Sequence, residues 1–206
     1  MLISFSCFSS TSLGVSLSEN PDGTVFYNTL DLFNELAEGE MLEDQFGYTI
    51  TDGETTDDGL VTITITGTND GPQILVRDRA VNAAEDEAYV FTEADIFDNL
   101  VDPEGDDVVS INFVNLPDQG MLFYDGNPIT LSQLADGSDP LLVMRTDVMA
   151  GKFTFFGDLN EFGSPYGVFK YFAYDEFGAV SWTIFSSSLS SESVEMTINV
   201  ASVNDA

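Results

Sequence analysis

Short runs of alternating apolar and polar residues recur along the chain. In residues 61–66 aliphatic side chains alternate with threonines, the two-residue period of a strand with one buried face. The same reasoning predicts further strands at residues 24–27, 89–92, 108–114, 121–124, 152–156 and 179–185. Turn-forming sequences rich in Asn, Asp, Gly and Pro separate these runs. Many short strands at this spacing predict an all-β sandwich, with short helical turns at 30–36, 93–100 and 131–134.

Two segments of the chain repeat. Residues 46–52 match residues 169–175 at an offset of 123 residues. A second set matches at an offset of 135: Val61, Ile63, Ile65, Asn69 and Asp70 correspond to Met196, Ile198, Val200, Asn204 and Asp205. The offsets differ by an insertion of about 12 residues, which falls at the Ser-rich run 186–193 and predicts a long hairpin loop.

The repeat divides the chain into two predicted domains, residues 1–72 and 73–206. The first copy has about half the strands of the second, so we expect it to lack an N-terminal part, whereas the second copy looks complete. Residues 1–12 contain no positively charged region and no small-residue cleavage pattern, so we expect a strand fragment there rather than a signal peptide.

The charge is strongly negative: 36 acidic and 5 basic residues give a net charge of −31. Such a chain is a poor partner for nucleic acid or an anionic membrane surface, and no stretch is long enough for direct membrane insertion. Divalent cations that prefer oxygen ligands are the expected counter-ions. The chain has no histidine and one cysteine, Cys7, which removes the commonest general base and any Cys-rich zinc site.

Motifs in both halves resemble those of bacterial surface proteins. Residues 20–24, 36–40, 46–52 and 66–72 resemble the end of a VCBS repeat. Residues 84–86, 102–107, 115–117, 173–175 and 203–206 are similar to the cadherin-like repeats of long, type I-secreted bacterial adhesins. The two resemblances cover nearly the whole chain after residue 13.

The resemblance implies tandem cadherin-like or Ig-like antiparallel β-sandwiches in a large extracellular or cell-surface adhesin. It implies a structural and adhesive role without enzymatic activity. The expected partners are neighbouring repeats of the same chain and, beyond them, cell-surface or matrix polysaccharide or another adhesin.

Residues 102–107 form the strongest candidate site. Asp102, Glu104 and Asp106 alternate along a stretch that Pro103 and Gly105 predispose to turn. Alternate carboxylates on a turn can converge on one point, and Ca²⁺ takes 6–8 oxygen ligands of this kind. The twelve-residue EF-hand loop is not present. We therefore predict a Ca²⁺ site at this loop.

The cadherin-like arrangement implies further ligands. The hairpin after Asp175 and the linker residues Asn69 and Asp70 would lie at the same end of the sandwich, and Glu38 (or Glu40) would come from the preceding domain. A second, half-formed junction would use Glu85, Asp86, Asn204 and Asp205. In this hypothesis calcium stiffens the junction between repeats. The central Glu104, where the family has Asp, and Glu176-Phe177-Gly178 after Asp175 depart from the family pattern.

The alternative function is a carbohydrate-binding module for exopolysaccharide. Its candidate platforms are the 17 phenylalanines, 7 tyrosines and Trp182, although aromatic residues at alternating strand positions are more often core. An enzyme is the third class. The acid pair Asp57 and Asp58 does not support it, because adjacent strand residues face opposite sides, and the sequence has no nucleophile motif or cofactor loop.

Overall fold

The structure, a computed structural model, describes residues 4–7, 10–30, 32–181 and 192–204. The chain divides into two compact units, Met1–Asn69 and Asp70–Ala206, so the division lies three residues before the predicted boundary. Strands dominate both units, which confirms the predicted all-β class. Within the described ranges, no helix has the length and apolar character needed to cross a bilayer.

The first unit is built on one long hairpin. Its strands are β1 (Ser4–Cys7), β2 (Leu17–Glu19), β3 (Val25–Tyr27), β4 (Met41–Thr51) and β5 (Thr56–Thr66). The order β1-β4-β5 forms one antiparallel sheet, and β2 and β3 form a separate hairpin. The sequence alternation of residues 61–66 in β5 appears as an alternation of exposure, because Val61, Ile63 and Ile65 are half-buried and the threonines between them are exposed.

A buried carboxylate stands in place of an apolar side chain in this first unit. Asp44 of β4 is fully buried, and it accepts hydrogen bonds from Leu13 N–H at 2.9 Å and from the hydroxyls of Ser12 and Tyr27 at 2.8 and 3.0 Å. Burial raises the pKa of Asp44, but hydrogen bonds from the side chains of Thr11 and Ser12 and from the N–H groups of Leu13 and Gln45 outweigh it and lower the pKa to about 2. Asp44 thus ties the segment around residue 12 to β4 as a charged group.

The second unit is a two-sheet sandwich. Its strands are β6 (Gln73–Ile74), β7 (Asp78–Ala84), β8 (Tyr89–Val90), β9 (Leu100–Val101), β10 (Val108–Asn115), β11 (Met121–Tyr124), β12 (Asn127–Pro128), β13 (Val143–Met144), β14 (Phe153–Phe156), β15 (Gly163–Asp175) and β16 (Val194–Ala201). The orders β13-β10-β15-β16-β7 and β12-β11-β14-β8 form the two larger sheets, and β6 pairs with β9. The pairs are antiparallel except β7 with β16, which is parallel.

Aromatic side chains fill the space between the two sheets. Phe91 and Phe153 stack with ring centroids 4.4 Å apart, and Phe113 and Phe169 pack around Phe153. All four are fully buried, and rings of this size contribute most of the apolar area of a core. These phenylalanines are therefore core residues rather than sugar platforms, as the alternation of the strands predicts. Trp182 lies outside the described residues.

The two long hairpins have the same register. Phe46 pairs with Val61 across β4 and β5, and Phe169 pairs with Met196 across β15 and β16. These pairs are related by the offsets of 123 and 135 residues seen in the sequence. The hairpin equivalence ends near Gly163, where the register of β15 shifts.

Helical structure is limited to α1 (Glu93–Ile96), α2 (Arg145–Met149) and a 3₁₀ turn at Leu131–Gln133 in the part of the chain that the structure describes. Thr92 caps α1 through a capping box with Asp95. The strand predicted at residues 89–92 therefore ends at Val90, two residues early. Helix α2 was not predicted, and residues 32–35 form turns rather than a helix. The predicted strand 179–185 lies largely outside the described residues.

Candidate metal centre

The acidic loop (residues 102–107) joins β9 to β10 and folds around one carboxylate. Asp102 is 6% exposed, and its Oδ1 accepts hydrogen bonds from the backbone N–H groups of Glu104 at 3.1 Å and Asp106 at 3.2 Å. Gly105 adopts a φ of +90°, a conformation that other residues rarely take. The sequence Asp-Pro-Glu-Gly-Asp therefore closes into a turn around the buried Asp102, with Glu104 and Asp106 half-buried.

Three carboxylates converge in this loop. One carboxylate oxygen from each of Asp102, Glu104 and Asp106 lies within 4.8 Å of the other two. Asp102 Oδ2 and Glu104 Oε2 are buried and accept no hydrogen bond from any described residue. Buried acceptors without donors are costly, so two oxygens of these carboxylates lack the partner that their burial requires.

The electrostatics of the loop oppose further negative charge. Burial raises the pKa of Glu104 to about 7, and the neighbouring Asp102 adds to this, although the Asp70 N–H acts in the opposite direction. Burial, Asp102, Glu176 and Asp175 also raise the pKa of Asp106. A positive charge at the centre of the loop would offset both effects.

Asp175 lies beside the acidic loop, at the end of β15. It pairs with Val108 in the sheet register and is 2% exposed. Its Oδ1 accepts the N–H groups of Phe177 at 2.9 Å and Ala179 at 2.8 Å. Asp175 therefore shapes the turn after β15 and also adds negative charge close to Asp106.

The start of the second unit is attached to the acidic loop. Asp70 N–H donates to Glu104 Oε1 at 2.9 Å, so one oxygen of Glu104 accepts from the backbone of the linker, while the other is buried without a donor. Gly71 lies against Val180, and a Cβ there would come within 2.2 Å of the Val180 carbonyl oxygen. These contacts explain why residues 70–72 belong to the second unit.

The other predicted ligands lie elsewhere in the two units. Glu85 is 4% exposed, and its Oε1 accepts the Val203 N–H at 2.6 Å. Asp86 accepts the Asn160 N–H at 3.1 Å. Glu38 and Asn204 are exposed, Asn69 is half-buried and ends the first unit, and Asp205 lies outside the described residues. The structure therefore brings together Asp102, Glu104 and Asp106, places Asp70 and Asp175 beside them, and leaves the roles of the remaining predicted ligands as predictions.

Comparison with known proteins finds only weak structural similarity. No protein-family model and no curated protein matches the chain. Among solved structures, it is similar to an endo-fucoidan hydrolase of glycoside hydrolase family 107 (17% identity, TM-score 0.33, 98% of this chain and 24% of that chain). It is also similar to the extracellular cadherin domains 1–4 of protocadherin gamma B7 (14% identity, TM-score 0.40, 100% and 42%) and to domains 4 and 5 of an S-layer protein (13%, 0.31, 96% and 70%).

The chain thus spans less than half the length of the first two structures. Since each of these TM-scores lies below 0.5, the assignment to the all-β class rests on the strands and sheets of this chain. The resemblance to VCBS and adhesin repeats stays a prediction from the sequence.

Proposed function

We propose that this chain is a calcium-binding, non-enzymatic structural repeat of a large extracellular bacterial adhesin. The observation that carries the proposal is that Asp102 Oδ2 and Glu104 Oε2 are buried without hydrogen-bond donors, in a loop where carboxylate oxygens of Asp102, Glu104 and Asp106 lie within 4.8 Å of one another. Carboxylates that converge without hydrogen-bond donors destabilise the folded state. A bound cation would replace the missing donors and offset this cost.

The spacing of the oxygens suits Ca²⁺. A calcium ion binds its ligands at about 2.3–2.6 Å, so two ligands on opposite sides are up to about 5 Å apart. The three carboxylate oxygens of the loop lie within 4.8 Å of one another. Asp102, Glu104 and Asp106 are the residues that would bind the ion, and neighbouring oxygens and water would complete the 6–8 ligands that calcium takes.

The role proposed for the ion is to neutralise the loop and to secure the start of the second unit. Glu104 connects the loop to the start of the second unit, because its Oε1 accepts the Asp70 N–H and its carboxylate belongs to the cluster with Asp102 and Asp106. A net charge of −31 repels itself, so bound cations also lower the cost of compaction. The proposal includes the predicted sharing of an ion with Asn69 and Glu38 and the stiffening of a repeat array.

Calcium titration by calorimetry tests this function. We expect saturable binding with a Kd of roughly 10⁻⁴–10⁻³ M, as in extracellular modules. Asp102→Asn keeps the size of the side chain and an oxygen for the Glu104 and Asp106 N–H groups, but removes the charge, and it should abolish this binding.

The matched control is Asp118→Asn. Asp118 is exposed and follows the opposite end of β10, about 20 Å from the acidic loop at the rise of a strand, so this change should leave calcium binding intact. Equal loss in both variants would show that calcium responds to net charge alone. No heat of binding in the parent protein would reject the calcium site.

Small-angle scattering tests the stiffening. The maximum dimension of the parent protein should change between chelator and millimolar calcium, and Asp102→Asn should not respond. Equal responses of the two proteins would mean that the acidic loop has no part in stiffening.

A further inference from the structure

An open cavity lies on the outer face of the five-stranded sheet in the second unit. It has a volume of about 540 Å³, within the roughly 300–1,000 Å³ of small-molecule sites. Strands β10 and β15 form its floor, with Ser110, Asn112 and Tyr174 among the lining residues. Residues 135–144 form one side and residues 176–178 the other.

The floor of the cavity offers buried polar groups. Ser110 and Asn112 are 3% and 2% exposed, although they face away from the core, because residues 135–142 cover them. Asn112 Nδ2 donates to the Leu141 carbonyl at 3.1 Å. Asn112 Oδ1 is buried beneath the floor and accepts no hydrogen bond from any described residue, whereas Tyr174 is half-exposed and lines the cavity.

The sides of the cavity are apolar and accessible. Phe177 is 65% exposed, Leu142 48% and Met144 38%. An exposed aromatic ring next to a polar floor presents a flat apolar surface and hydrogen-bonding groups within one site. Ligand sites commonly combine apolar walls with a few placed polar groups.

The geometry points to a neutral sugar residue as the occupant of this cavity. A pyranose has an apolar C–H face, which would pack on Phe177, and hydroxyl groups at its edge, which would exchange hydrogen bonds with the Tyr174 hydroxyl. Glu176 lines the cavity and would repel uronic or sulfated sugars. The ligand class is therefore a neutral glycan.

The site has room for more than one ring. A second cavity of about 280 Å³ adjoins the first, because both are lined by Val109 and Met144. Asp107 lines this extension, and Arg145 there pairs with Glu93 at 2.6 Å, which keeps that cation from attracting an anionic ligand. The combined groove favours a short oligosaccharide.

A peptide is the less suitable occupant. Peptides that bind sheets pair their backbone with an exposed edge strand. The edge strand beside the cavity is β13, which is two residues long. The hydrogen-bonding groups of the cavity floor are side chains instead. Peptide binding in the test below would overturn the assignment.

The test uses the full chain in millimolar calcium and, separately, in chelator. Neutral glucan and mannan oligosaccharides, matched uronic and sulfated oligosaccharides, and a basic peptide are titrated while the NMR signals of the floor residues are followed. We expect saturable shifts with at least one neutral oligosaccharide below about 10 mM. Phe177→Ala should weaken this binding roughly threefold or more, through loss of ring packing.

Two variants make the result specific. Tyr174→Phe removes only a hydroxyl from the cavity and should also weaken binding. Phe162→Ala is the matched control, since Phe162 is 62% exposed and does not line the cavity, and it should bind like the parent. The assignment is overturned by no saturable binding of any neutral oligosaccharide, by tighter binding of the anionic sugars or the peptide, or by equal affinity of Phe177→Ala and the parent. Because sugar binding is measured with and without calcium, its failure leaves the calcium proposal to its own titration.

Discussion

Each unit of this protein buries an aspartate, and the two environments differ in hydrogen-bond donors. Asp44 in the first unit is surrounded by N–H and O–H donors, and its pKa falls to about 2. In the second unit, backbone N–H groups donate to only one oxygen of Asp102. Its other oxygen accepts no hydrogen bond from any described residue. The pKa of the neighbouring Glu104 rises to about 7.

The difference separates a structural acid from the site that we propose binds calcium. Donors supplied by the protein make the charged form of Asp44 part of the fold. At the acidic loop, Asp102 Oδ2 and Glu104 Oε2 receive no hydrogen bond from any described residue. In our proposal, a cation takes the place of the missing donors. Burial alone does not distinguish the two, because both aspartates are almost completely enclosed.

The largest expected effect is the loss of Asp44. In Asp44→Ala the Leu13 N–H and the Ser12 and Tyr27 hydroxyls lose their acceptor, so the first unit should be destabilised by roughly 3 kcal/mol. Hydrogen exchange of residues 10–69 measures this locally. Calcium should not restore the lost stability, and rescue by calcium would mean that Asp44 is also a ligand.

The pH dependence of the first unit should follow the low pKa of Asp44. A carboxylate whose pKa falls from 3.8 to about 2 on folding contributes stability above pH 3.8. That contribution, about 2 kcal/mol, is lost as the pH falls towards 2. The measurement is the difference in unfolding free energy between the parent and Asp44→Asn from pH 6 to pH 2. A difference that stays constant over this range would contradict the assigned role of the charge.

At the acidic loop, unlike at Asp44, the effect of removing the charge on stability should depend on calcium. At a calcium concentration of about ten times Kd, an ion bound only to the folded state adds about 1.4 kcal/mol, and Asp102→Asn should lose this gain. In chelator the same change should be neutral or slightly stabilising, because it removes one of the crowded negative charges. Thermal unfolding with and without calcium checks both statements. If Asp102→Asn is destabilised equally in chelator and in calcium, Asp102 is a structural acid like Asp44 rather than a calcium ligand.

The smallest expected effect concerns Glu85, a buried acid with one donor identified. Glu85→Ala removes the acceptor of the Val203 N–H and should cost about 1 kcal/mol, independent of calcium in this chain. Glu85→Gln keeps an acceptor oxygen and serves as the control. A calcium-dependent loss in Glu85→Ala would support the predicted second junction with Asp86, Asn204 and Asp205.

Much of the strand pattern could be predicted because it depends on local alternation. The predicted strand 121–124 matches β11, and the repeat predicts the common register of the two hairpins. Helix α2 was missed because five residues provide less than two turns of periodicity. In the candidate site, the convergence of Asp102, Glu104 and Asp106 was predictable from their alternate spacing within one turn.

The sequence by itself determined the all-β class, the repeat and the acidic loop, because strand period, turn residues and clustered charge are local properties of the chain. Only the tertiary structure decided which acids have donors. Asp44 receives Leu13 N–H across 31 positions, and Glu85 receives Val203 N–H across 118. The outer cavity likewise exists because residues 135–142 and residues 174–178, distant in sequence, line the same depression. Such contacts join distant parts of the chain, and the number of donors around a carboxylate is set by that packing rather than by its neighbours in sequence.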